Sequence, residues 1–133
     1  MQIKNKIFLL FFILFKIFLI INVNAEEFNI SASEITVDST NNIVIGKGDV
    51  NVTDKEGKII KADKVIYEKS KEFITAEGSV EIIDNLGNFL KSESATYDKT
   101  NEIISTYKKS EILIKEGYTL KSKDIIYNVN KKI

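Results

Sequence analysis

The sequence predicts an all-β protein of antiparallel strands, and three observations carry that expectation. A unit of about 30 residues repeats without a gap. Within each unit, apolar residues alternate with polar ones and are mostly Ile, Val, Tyr, Phe and Thr, the residues that favour strands. Short polar turns, several closed by glycine, separate the apolar runs.

The units open at Ile30, Ile60, Leu90 and Leu120, the last unit being partial. Corresponding positions agree in chemistry. Ala32, Ala62, Ser92 and Ser122 are small. Ile35, Val65, Ala95 and Ile125 are apolar. Val37, Tyr67, Tyr97 and Tyr127 are large and β-favouring, and Ile43, Phe73, Ile103 and Ile133 restart the apolar pattern. Each unit reads as two strands, near Ile60 to Tyr67 and Phe73 to Ile83 in the second unit. No apolar stripe at helical spacing persists.

The alternation slips within each strand. Ile60 and Ala62 share one face, yet the next apolar pair is Val65 and Tyr67, an odd step away. An extra residue near Asp63-Lys64, a β-bulge, restores the phase and bends the strand. In the following strand Phe73 and Thr75 stand in one phase and Val80 and Ile82 in the other, with Glu77-Gly78-Ser79 as the expected bend. Repeated bends predict a curved sheet folded over on itself.

The turns fit antiparallel pairing. Asp54-Lys55-Glu56-Gly57 and Asp84-Asn85-Leu86-Gly87 suit a type I turn closed by a left-handed glycine, and Lys115-Glu116-Gly117 repeats the ending. Glu68 to Glu72 and Asp98 to Glu102 are polar connections of similar length. Strands joined this tightly run antiparallel, which disfavours a parallel β-helix.

The first 25 residues read as a cleavable leader. Lys4 and Lys6 precede the apolar run Ile7 to Phe15, Lys16 interrupts it, and Val23-Asn24-Ala25 offers a cleavage site before Glu26. The alternative is an uncleaved anchor, but Ile7 to Val23 is short for a span and Lys16 is costly at its centre. Residues 26–133 form one domain. Three lysines lie in the leader and all 19 acidic residues lie beyond it, leaving the mature part at −3. That balance argues against a nucleic-acid partner. Without Cys or His the chain has no disulfide, no Cys- or His-based metal site and no nucleophile–base pair; no cofactor and no enzyme activity are expected. Asp63 and Glu93 align between units, as surface charges on neighbouring strands do, and the Glu26-Glu27 pair reads as an export-friendly N-terminus.

The motifs Ala62-Asp63-Lys64-Val65-Ile66-Tyr67 and Ile74-Thr75-Ala76-Glu77-Gly78-Ser79-Val80-Glu81-Ile82, recurring from about Phe28 to Tyr127, resemble the OstA-like family. That family includes the lipopolysaccharide-transport protein LptA and the N-terminal domain of LptD. The resemblance implies an antiparallel V-shaped β-jelly-roll built from the strand-turn-strand repeats, open at both ends, with an apolar groove that carries lipopolysaccharide acyl chains. It also implies a periplasmic location and end-to-end stacking through edge strands, with other OstA-like envelope proteins or with further copies of this chain. The chain is short for that family, as a compact member or the front of a longer LptD-like protein would be.

On this reading the groove is expected to be lined by Ile30, Ala32, Val37, Ile60, Ala62, Val65, Tyr67, Phe73, Leu90, Tyr97, Ile103, Leu120 and Tyr127. The small residue at the third position of each unit leaves space on an inner face. Lys61, Lys91 and Lys121 are expected outside, in solvent. Ile125-Ile126-Tyr127, with little charge to block pairing, is the expected edge for β-augmentation. The competing reading is a structural or adhesive extracytoplasmic β-repeat protein with a closed core and no ligand.

Overall fold

The computed structural model describes residues 3–8 and 27–130. Residues 3–8 are helical; the rest of the expected leader, its cleavage site included, lies outside the described residues.

The strands are β1 (Phe28–Ser31), β2 (Glu34–Asp38), β3 (Ile43–Asp54), β4 (Ile59–Glu68), β5 (Phe73–Ile83), β6 (Phe89–Asp98), β7 (Ile103–Leu113), β8 (Thr119–Ser122) and β9 (Ile125–Asn128). They form a single nine-stranded sheet in the order β1-β3-β4-β5-β6-β7-β8, with β2 also on β3 and β9 also on β7. Every pairing is antiparallel. Five long strands therefore run through the middle, and two short strands flank them at each edge.

Each long strand is divided by an irregularity that lies on one line across the sheet. The register shifts between Lys47 and Val50 on β3, between Lys61 and Lys64 on β4, and between Glu77 and Val80 on β5. On β6 and β7 it shifts between Ser92 and Ser94. The phase slip expected at Asp63-Lys64 is present, and the further residue of each bulge sits on the odd-numbered strands, at Gly48-Asp49, Gly78-Ser79 and Lys108-Lys109. Gly48 and Gly78 have φ of 78° and 81°, a left-handed conformation that glycine adopts without penalty. Lys108 takes the same conformation, with φ of 68°.

The bulge line folds the sheet into two halves whose inner faces pack together. The first half holds β1, β8, the starts of β4 and β6, and the ends of β3, β5 and β7. The second holds β2, β9 and the remaining parts of the long strands. Phe28 in the first half stacks edge-on against Tyr67 in the second, with ring centroids 4.9 Å apart. Val65, Ile74 and Ile104 are fully buried between the halves. Burying such a side chain contributes about 1.5–3 kcal/mol, so this row is a principal source of stability.

The turns at the free end of the first half form as expected. The Asp54 carboxylate accepts the N–H groups of Glu56 at 2.9 Å and Lys58 at 2.8 Å. Asp84 does the same for Leu86 and Asn88, both at 2.9 Å. Gly57 and Gly87 close these turns with φ of 90° and 88°. At the free end of the second half, Glu68 to Glu72 contains a single 3-10 turn, Lys69–Lys71.

Candidate functional site

The inner face is the candidate site. Of the residues expected to line it, Ile60, Ala62, Val65, Tyr67, Leu90, Tyr97 and Tyr127 are buried in the core between the halves. Ile30 and Ala32 pack against that core and are partly buried.

Two expected lining residues stand elsewhere. Ile74 and Ile104 are inner residues, so their neighbours Phe73 and Ile103 face the other side of the sheet, half-buried. The expected phase break along β5 is correspondingly absent between inner positions: Ile74, Ala76, Val80 and Ile82 are all buried. The bend at Gly78-Ser79 inserts enough residues to keep them on one face. Strand starts such as Phe73-Ile74 and Ile103-Ile104 are apolar on both faces, and alternation there does not reveal which residue turns inward.

Two further expected residues lie on the inner face but are uncovered. On β2, Val37 pairs with the inner residue Val44 and is 59% exposed. On β8, Leu120 pairs with the inner residue Ile112 and is 55% exposed. Among the described residues the inner face is thus uncovered at both edges of the sheet, at Val37 in one half and at Leu120 in the other. At the β1/β2 edge the first half is covered by Phe28 and the second is bare. At the β8/β9 edge the second half is covered by Ile125 and Tyr127, both buried, and the first is bare. Of the segment expected to form a pairing edge, only Ile126 points outward, at 80% exposure.

The free ends of the two halves meet through polar side chains that the sequence alone did not single out. Lys58, 2% exposed, lies over the Tyr97 ring at 5.6 Å from its centroid. It pairs with Asp54 at 3.2 Å, Glu56 at 2.7 Å and Glu102 at 3.5 Å. The Tyr97 hydroxyl donates to Glu102 at 2.7 Å, and Lys99 bonds Glu102 at 2.6 Å. One unit further on, the Tyr127 hydroxyl donates to Asp84 at 2.7 Å and accepts from the Asn88 amide at 2.8 Å. These two latches clasp the halves at the end away from the bulge line.

The latch charges follow their surroundings. Burial raises the Tyr97 hydroxyl far above the usual phenol range, and the Glu102 carboxylate beside it adds to the rise. Burial and Asp84 push Tyr127 up to about 12. Burial favours the neutral form of Glu102, but hydrogen bonds from Lys99 and Tyr97 outweigh it and hold that carboxyl below its ordinary value. Lys58 loses solvation on burial, yet Glu56 and Asp54 raise it overall. Both tyrosines are therefore neutral hydrogen-bond donors at physiological pH.

The all-β sheet, folded along a line of bulges and apolar within, has an LptA-type jelly-roll fold. A solved structure with that fold is LptH, the LptA-homologous periplasmic component of the conserved lipopolysaccharide transport device from Pseudomonas aeruginosa. It superposes with a TM-score of 0.72 at 17% sequence identity, over 82% of this chain and 83% of that one. No family model matches the sequence, and no curated protein matches it significantly.

Proposed function

We propose that this chain is a periplasmic lipid-binding module of lipopolysaccharide transport, which carries acyl chains on its inner face and passes them along a row of modules joined end to end. The observation that carries the reading is the inner face itself, continuous from Val37 to Leu120 and bare at both sheet edges, in a fold shared with LptH. A sealed protein would cover large apolar residues at its edges. Affinity comes from acyl chains leaving water, at roughly 25 cal/mol per Å² of apolar surface, and no chemical step is needed. The apolar chains enter at a bare edge or by parting the latches.

The bare edges also suggest how modules meet. Phe28 faces Tyr67, Lys58 faces Tyr97 and Asn88 faces Tyr127, each pair 39 residues apart. Tyr118, next in that series, is 73% exposed, and Val37, the first member of the tyrosine series, is 59% exposed. In a head-to-tail pair, Val37 of one copy takes the place opposite Tyr118 of its neighbour, and the inner faces join. Such a heterologous contact builds an open row rather than a closed dimer.

A second reading, a structural β-repeat protein with no ligand, is favoured by the full burial of Val65, Ile74 and Ile104 between the halves. A fluorescent long-chain acyl probe separates the two. The transport module takes up the probe saturably and releases it when lipopolysaccharide is added. A protein that folds and stays dark with the probe is the structural repeat.

A further inference from the structure

A solvent-open cavity of about 750 Å³ lies where β5, β6, β7 and β8 reach the bulge line. Among the residues lining it are Ser79, Lys91, Lys109, Lys121, Ser122 and Lys123. Most of its charges are already matched. Glu81, Lys91, Glu111 and Lys121 are successive cross-strand partners and form a ladder of alternating sign, with Lys91–Glu81 at 3.9 Å and Lys121–Glu111 at 3.8 Å. Glu93 is held by Lys108 at 3.6 Å.

Lys109 and Lys123 are left over, with no carboxylate in ion-pair reach among the described residues. Ser110 and Ser122 are register partners on β7 and β8, Lys109 and Lys123 are the next residues beyond them, and both lysines line the cavity.

The repeat shows that this arrangement is a departure. The positions equivalent to Lys123 are Ser33, Asp63 and Glu93, and those equivalent to Lys109 are Asp49 and Ser79. Acidic or neutral hinge positions become basic only here. The departure extends to Lys108, which holds a left-handed φ of 68° where the sister bulges have Gly48 and Gly78.

We propose that this cavity binds a phosphate-class anion, held by the ammonium groups of Lys109 and Lys123 and by the hydroxyls of Ser79 and Ser122. Lysine acts on phosphate as a point charge, and the neighbouring serines supply short donors. The Ser92 and Ser110 hydroxyls are already 3.0 Å apart and engaged with each other. The anion is a free phosphate or the phosphate of a saccharide headgroup. Ser122 stands in the same row as Leu120, beside the uncovered inner face, whereas both lysines are exposed, and the site does not require that the inner face carry lipid.

Amide NMR titration of the exported chain with inorganic phosphate and with glucose 1-phosphate tests this, alongside the double variant Lys109→Gln, Lys123→Gln. Both lysines are exposed, and an unchanged urea midpoint verifies that the variant folds. The expected result is saturable shifts at Ser79, Ser110 and Ser122, with affinity lost by roughly tenfold or more in the variant. Tighter binding of the sugar phosphate assigns a headgroup, and equal binding assigns free phosphate. No saturable shift with either anion, or shifts that persist in the variant, would overturn the site. So would a variant that loses only self-association, because the lysines would then be a junction between copies.

Discussion

The Asn88 amide donates to the Tyr127 hydroxyl at 2.8 Å across the mouth of the fold. The same tyrosine donates to Asp84 at 2.7 Å. One unit earlier, Lys58 and Tyr97 stand in the same relation. The latch is thus a product of the repeat: a turn residue in one unit meets the tyrosine of the next. Replacing Tyr127 by Phe leaves the buried Asp84 carboxylate short of a donor. We expect a loss of about 1.5–3 kcal/mol, measured by urea unfolding, with Tyr127→Phe and Asn88→Ala coupled in a double-mutant cycle.

Acid should loosen the first latch. Glu56 and Glu102 are both held below their ordinary value of 4.5, so the unfolded chain binds protons more readily than the folded one. Their contribution is complete above pH 4.5 and is lost as pH falls through the depressed folded values. Urea midpoints should fall below pH 4.5 in the wild type and fall less steeply in Glu102→Gln. Parallel pH profiles would place the acid sensitivity elsewhere.

Lys108 is a site for stabilisation. Its φ of 68° costs an L-residue about 1–2 kcal/mol, and its ion pair with Glu93 is solvent-exposed and weak. Lys108→Gly should raise stability by about 1 kcal/mol. Gly78→Ala should lower it, because its φ is 81° and a Cβ there would come within 2.9 Å of the Asp63 Cγ.

Ile103 and Ile104 test the assignment of faces. Ile104 is fully buried, and Ile104→Ala should cost about 2–5 kcal/mol. Ile103→Ala, on the outer face, should cost clearly less. Equal losses would mean that both faces of β7 are load-carrying.

The end-to-end arrangement yields a covalent test. The chain has no cysteine, so Val37→Cys with Tyr118→Cys introduces the sole thiols. Mild oxidation should produce a ladder of disulfide-linked multimers on a non-reducing gel. Val37→Cys with Ile126→Cys, where Ile126 points to the outer face, should give no ladder.

Much of this architecture was legible in the residues. Asp54 and Gly57, and again Asp84 and Gly87, specify turns by local hydrogen bonding and positive φ, which need no tertiary context. The run from Ile60 to Tyr67 shows its phase slip because one face is apolar and the other polar. The phase of β5 and β7 was not legible, since Phe73-Ile74 and Ile103-Ile104 are apolar on both faces. The burial of Lys58 was hidden as well. Its counterparts in the repeat are Phe28, Asn88 and Tyr118, none of them charged; what unites the four is position at the mouth of the fold. The exposure of Val37 and Leu120 likewise depends on which strand ends the sheet, a property of the whole fold.

The most direct test of lipid carriage is a photo-crosslinking residue at Leu120, on the inner face at an open edge, in a lipopolysaccharide-producing cell. The same residue at Ile126, on the opposite face of the same edge, is the control. The account predicts a lipopolysaccharide adduct at position 120 and none at 126. A folded, exported protein with no adduct at 120, or equal adducts at both positions, would contradict it.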